Sequence, residues 1–160
     1  MNDDRIQLVD PLIAKKTCRE ITLTLPEWFG IPEANERYVQ GMLERTSFVA
    51  SVVGEYAGLI TLEFPFPNNA NIYWMAVKKT HHGKNIGTDL IKAAEDYCRN
   101  RGCSSLTVET LSPKENDKNY LKTYQFYETC GFKPLFEMRP FGPDHLMVYM
   151  QKNLIKNERI

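Results

Sequence analysis

The residues best placed to do chemistry lie between positions 72 and 90. Ile72-Tyr73-Trp74-Met75-Ala76-Val77 is a β-rich run, followed by the polar loop Lys78-Lys79-Thr80-His81-His82-Gly83-Lys84-Asn85. Ile86-Gly87-Thr88-Asp89-Leu90 then opens a stretch in which Ile86, Leu90, Ile91, Ala94, Tyr97 and Cys98 recur at helical spacing, and Gly102 supplies the stop. A strand that breaks into a glycine-containing loop and leads straight into a helix aims unpaired backbone N–H groups and the positive end of the helix at one spot, and such a spot binds phosphate. The loop is no Walker A sequence, which would need glycine at position 78 and Ser or Thr at position 85, where Lys and Asn stand. A dinucleotide fingerprint needs three glycines, and only Gly83 and Gly87 are present. His81 and His82 are adjacent, so on extended backbone they point apart and make no zinc pair.

These residues need a scaffold, and 160 residues suffice for one domain with a core. The polar tail from about residue 153 is expected to fray. Lys+Arg and Asp+Glu are both 20, so nothing marks a nucleic-acid binder. No apolar run is long enough to cross a bilayer, and Met1-Asn2-Asp3-Asp4-Arg5 is not a signal peptide. Cys18, Cys98, Cys103 and Cys130 form neither a Cys-x-x-Cys pair nor a disulfide framework and are expected reduced and mostly buried. The expected compartment is the cytoplasm, with no metal site.

The pattern predicts a strand over Ile6 to Val9, a helix or broken helix over residues 17–29, and a second helix from Ile31-Pro32 to about Glu44. Strands follow at Ser47 to Val53 and Tyr56 to Phe64, joined through Gly54-Glu55. Phe64-Pro65-Phe66-Pro67-Asn68-Asn69 reads as an exposed loop, because its prolines argue against continued strand. After the strand and helix above come a strand at Ser105 to Thr110, a polar loop from Leu111 to Lys118, and a helix from Asn119 to Cys130. Gly131 stops that helix, with Phe132 placed for the apolar contact of a C-terminal cap. Strands at Lys133 to Met138 and His145 to Gln151 close the sheet. The fold class is α/β (α+β), a mixed sheet covered by helices.

This order resembles the GNAT superfamily of N-acetyltransferases, and two motifs carry the resemblance. The superfamily's Gln/Arg-x-x-Gly-x-Gly/Ala loop is represented by His82-Gly83-Lys84-Asn85-Ile86-Gly87, with His82 in place of Gln or Arg and Asn85 in place of the middle glycine. Its Phe-Tyr-x-x-x-Gly-Phe helix end is represented by Phe126-Tyr127-Glu128-Thr129-Cys130-Gly131-Phe132. Asn tolerates positive φ better than most residues, so the loop can keep its turn. The segment Leu25-Pro26-Glu27-Trp28-Phe29-Gly30-Ile31-Pro32 also looks like a bacterial branch of the superfamily.

The resemblance implies a mostly antiparallel sheet that splays between the strands ending near Val77 and Thr110, and acetyl-CoA as acyl donor. It implies that the pyrophosphate meets His82, Gly83, Lys84, Asn85, Ile86, Gly87 and Thr88. The pantetheine arm would borrow backbone bonds from Met75, Ala76 and Val77, with Asn119 and Phe126 also toward the donor. Tyr127 would be the general acid that protonates the leaving thiolate. Glu109, whose strand borders the donor, is preferred to Glu63 as base, through a bridging water. Trp28, Phe29 and Tyr38 would line the wall for the acceptor, a small-molecule or peptide amine, although Trp28 and Phe29 suit core packing equally well. Homodimers are common in the superfamily. Two other readings stay open: an acyl-CoA-binding or protein-interaction module without turnover, and a transferase using a longer acyl-CoA.

Overall fold

In the computed structural model, residues 5–155 are described. They make a mixed α/β fold whose seven-stranded, mostly antiparallel sheet is flanked by helices, as expected. The strand order is β1-β2-β3-β4-β5-β7-β6. The residues group into two compact units: those up to residue 63 with 72–97, and 64–71 with those from 98 onward.

In the first unit β1 (Ile6–Val9) pairs antiparallel with β2 (Thr46–Val52), and β2 pairs antiparallel with β3 (Glu55–Phe66). Helix α1 spans Pro11–Leu23. It starts six residues before the expected position because Asp10 caps it, accepting from the Leu12 N–H at 2.8 Å, and Pro11 supplies a pre-set φ in the first turn. It also ends earlier. Pro26 cannot continue a helix, and residues 25–29 are turns held by the N–H groups of Trp28 and Phe29 on the Leu25 carbonyl. Helix α2 (Pro32–Gly41) runs into a short 3-10 turn at Met42–Glu44. Ala14, Cys18 and Ile21, spaced for one face of α1, and Leu25 in the turn after it bury against Val39, Met42, Val49, Leu59 and Trp74.

Gly41 allows a close approach in this core. A Cβ there would lie 2.0 Å from the Tyr73 hydroxyl oxygen, so the bare glycine backbone is what admits the ring. Arg45 fixes the same spot. Its guanidinium lies 3.9 Å from the Tyr73 ring centre, donates to the Gly41 carbonyl at 2.7 Å, and reaches Glu63 at 3.0 Å. Strand β4 (Asn69–Val77) and helix α3 (Ile86–Asn100) complete the unit. The α3 residues Ile86, Leu90, Ile91, Ala94 and Cys98 are buried, as their spacing predicts. Glu95, expected off that stripe, is buried as well at 6 % exposure.

In the second unit β5 (Ser105–Leu111) pairs antiparallel with β7 (Met147–Asn153), which in turn pairs antiparallel with β6 (Lys133–Met138). Strand β7 starts two residues later than expected. Ser105 Oγ donates to Asn69 Oδ1 at 2.6 Å and Thr107 Oγ1 to Asn71 Oδ1 at 2.8 Å, so the opening of β4 and β5 ascend in the same direction. The proline-rich loop expected at residues 64–69 is mostly strand. β3 continues to Phe66 and β4 begins at Asn69. Pro65 sits exposed next to the strand end, where the only loss is its own N–H.

Helix α4 (Lys118–Thr129) is closed at both ends by named residues. Asp117 accepts from the N–H groups of Asn119 and Tyr120 at 2.9 and 3.0 Å. At the other end Gly131 takes φ +95°. The Phe132 N–H bonds the Tyr127 carbonyl at 3.0 Å and the Gly131 N–H bonds the Glu128 carbonyl at 2.9 Å, a Schellman cap. Its expected apolar contact is present, with the Phe132 and Tyr127 rings meeting edge to face at 5.6 Å.

Candidate functional site

The loop between β4 and α3 begins with a 3-10 turn at Lys79–His81. Gly83 at φ +78° and Asn85 at φ +62° are both left-handed, so the Asn that replaces the usual glycine keeps the turn. The Asp89 N–H donates to the Asn85 carbonyl at 3.1 Å, the first helical bond of α3. The N–H groups of Ile86, Gly87 and Thr88 therefore precede the helical ladder and begin without intrahelical partners. A Cβ built at Gly83 meets nothing within 4 Å, and Lys84 is exposed. Asp89, the acid in the first turn of α3, is ion-paired to Arg5, which offsets a charge that would otherwise repel an anion.

His82, though exposed, reaches back to the strand before the loop. Its Nε2–H donates to the Val77 carbonyl at 2.7 Å, and its ring meets Trp28 edge to face at 6.0 Å. The Lys78 N–H, in the same peptide group as that carbonyl, donates to Ala57 on β3 at 2.8 Å. A trans peptide sends its C=O and N–H in opposite directions. The Val77 carbonyl therefore points away from β3, and in an extended strand the Val77 N–H points the same way. His81 donates instead to Glu55. That bond, with Lys78 at 3.8 Å, holds the Glu55 carboxyl below its ordinary range.

The expected acceptor wall is a set of aromatic pairs. Phe29 stacks on Trp74 at 5.4 Å, and the Asn35 side chain donates to the Phe29 carbonyl at 3.0 Å. Tyr38, 37 % exposed, leans on Tyr73 at 5.2 Å, and the Tyr73 hydroxyl donates to the Tyr38 carbonyl at 3.2 Å. Trp28 and Phe29 are half-buried against the core, so packing claims part of each ring. Tyr73, Trp74 and Arg45 are members of this set that the sequence reading missed. Strand spacing shows which face a residue takes but not which helix crosses it.

In the second unit Tyr127 is 5 % exposed, wedged between the rings of Phe126 at 5.4 Å and Phe132 at 5.6 Å. Burial pushes its phenol well above the usual tyrosine range, with smaller contributions from Cys130 and Tyr120. Glu109 lies on β5 opposite Tyr149 of β7. Asn119 is in the first turn of α4, its N–H committed to the Asp117 cap. Glu63, the other carboxylate considered as base, is held by Arg45. Among the described residues no group of three or more His, Cys, Asp or Glu is placed to hold a metal ion, and no helix is long and apolar enough to cross a membrane.

A strand–loop–helix turn with left-handed Gly83 and Asn85 and a Phe-Tyr helix end capped at Gly131, on this strand order, fit an acetyltransferase scaffold. The chain belongs to the Acetyltransferase (GNAT) family, whose model matches residues 16–132. No curated protein sequence matches it. Among solved structures it is similar to aminoglycoside 6'-acetyltransferase type Ii, with 23 % identity, a TM-score of 0.75, and 96 % of this chain and 99 % of the other covered. An aminoglycoside 6'-N-acetyltransferase complexed with coenzyme A gives 20 % identity and a TM-score of 0.72, covering 96 % and 99 %. The Salmonella typhimurium protein yncA with its cofactor acetyl-CoA gives 16 % and 0.67, covering 97 % and 96 %. At these identities the likeness is one of fold.

Proposed function

We propose that the protein is an acetyl-CoA-dependent N-acetyltransferase that moves an acetyl group to a primary amine by direct attack within a ternary complex. The observation that carries this reading is the turn into α3. Left-handed Gly83 and Asn85 present the Ile86, Gly87 and Thr88 N–H groups at the positive end of a 15-residue helix. Two of the similar structures hold coenzyme A or acetyl-CoA. The donor supplies the activated thioester, and the chain's residues do the rest. The helix N-terminus, with Lys84 nearby, receives the pyrophosphate, and the edge of β4 at Met75, Ala76 and Val77 receives the pantetheine arm.

Of the β4 donors we assign the Val77 N–H to the oxyanion that develops at the thioester carbonyl. It points away from β3, and His82 already occupies the carbonyl of the same residue. Tyr127 holds the proton for the departing thiolate, and its burial keeps the phenol protonated at neutral pH. Glu109 takes the amine proton through a water.

Gly87→Glu places a charged side chain where the pyrophosphate sits. Isothermal calorimetry should then show loss of acetyl-CoA binding to a protein with an unchanged circular dichroism spectrum. Unchanged affinity would place the donor elsewhere.

A further inference from the structure

Resting on the transferase reading above, we infer that the acceptor is a primary amine carried on an uncharged aromatic or apolar body, not a polycation. The wall assigned to it already balances its own charge. Glu27 is taken by Lys79 at 2.8 Å, which holds its carboxyl below the ordinary range. Glu63 is held at 3.0 Å by Arg45, which lies over the Tyr73 ring. Glu33 lies in the first turn of α2, where the helix's own positive end meets it.

A polycation such as an aminoglycoside or spermidine is recognised by carboxylates that face it unneutralised. Here it would have to displace Lys79 and Arg45 to gain equivalent pairs, which returns little net energy. What the wall offers instead is π surface. The rings with surface to offer are the exposed Tyr38 and the half-buried Trp28, Phe29 and Tyr73; Trp74 backs Phe29 from within the core, and Arg45 takes one face of Tyr73. Flat apolar groups pack on such faces, and one ammonium beside them is stabilised by the ring quadrupoles.

The test uses the full chain with acetyl-CoA and a thiol-release readout, and compares phenethylamine and tyramine with spermidine and kanamycin at 0.05 and 0.5 M NaCl. The expected result is a kcat/KM at least tenfold higher for the aromatic amines, changing less than about twofold with salt because no long-range charge attraction contributes. Tyr38→Ala should raise the phenethylamine KM about tenfold with kcat and melting temperature nearly unchanged, and Tyr38→Phe should restore it. A preference for spermidine or kanamycin, or a KM that climbs steeply with salt, overturns the inference and leaves the transferase reading standing. So does an enzyme that binds acetyl-CoA by calorimetry yet acetylates neither class. Failure to bind acetyl-CoA at all overturns the transferase reading and the inference with it.

Discussion

His82 Nε2–H donates to the Val77 carbonyl at 2.7 Å, closing the polar loop back onto the strand that precedes it. The bond occupies the Val77 carbonyl and leaves the Val77 N–H as that residue's remaining backbone group on the side away from β3. His82→Ala frees the carbonyl and loosens the loop. One hydrogen bond contributes about 1 kcal/mol, so the acetyl-CoA KM should rise roughly fivefold. His82→Gln keeps a side-chain N–H within reach and should fall between the two. Steady-state kinetics with acetyl-CoA varied at saturating amine would show the ordering, and equal KM values in all three proteins would remove His82 from the donor site.

Tyr127→Phe keeps the ring between Phe126 and Phe132 and deletes only the hydroxyl. If Tyr127 is the acid, kcat should drop roughly 10²–10⁴-fold with a small change in melting temperature. Full activity in the Phe variant would assign the proton to water or to Tyr124.

The buried phenol also sets an alkaline limit on stability. Burial raises its pKa in the folded protein above the unfolded value of about 10. Its contribution is therefore complete below about pH 10 and is lost as pH climbs from there toward the folded value. Cys18 acts the same way from about pH 9 upward, because burial pushes its thiol up from 9.0 to about 12. Urea melts between pH 8 and 11 should show stability falling with pH, less steeply in Tyr127→Phe. Identical slopes would mean the phenol ionises in the folded protein as easily as in the unfolded one.

Gly131→Ala forces an L side chain into φ +95° against Lys152, with the new Cβ 3.2 Å from Lys152 Cε. The left-handed conformation costs about 1–2 kcal/mol. Because the cap that suffers contains the Tyr127 carbonyl, kcat should fall alongside the melting temperature. Asp117→Ala, at the other end of α4, should cost a similar amount, about 0.5–2 kcal/mol, while leaving kcat closer to wild type. The comparison separates loss of helix stability from displacement of Tyr127.

Free thiols can be counted in the folded protein. Cys18, Cys98 and Cys103 are buried and Cys130 is partly exposed. With Ellman's reagent, Cys130 should react first and the other three only on unfolding. Fast labelling of more than one thiol in the native protein would contradict this packing.

The parts of the fold legible in the sequence are those where local and tertiary forces agree. The α3 stripe from Ile86 to Cys98 and the Gly131-Phe132 cap both follow from spacing and backbone conformation alone. The start of α1 is also written locally, in the cap Asp10 and the first-turn Pro11, six residues before the expected boundary at 17. Pro65 misled because a proline is costly in the middle of a sheet and cheap near the exposed end of a strand. Burial of Glu95 could not be read from a helix pattern that placed it off the apolar face. At the site, the positive φ of Asn85 was foreseeable from residue type, whereas the turn of His82 toward Val77 and the Arg45–Tyr73 contact depend on chain segments far apart in sequence.

Gly41 and Tyr73 are coupled in what each can be replaced by, as well as in space. Alanine at 41 alone would put its Cβ 2.0 Å from the Tyr73 hydroxyl oxygen and 2.8 Å from Cζ, so exchanging the tyrosine for phenylalanine first would not make room. A side chain at position 41 therefore forces the Tyr73 ring to move, whereas a small residue at position 73 leaves room for it, so the effects of the two substitutions will not add.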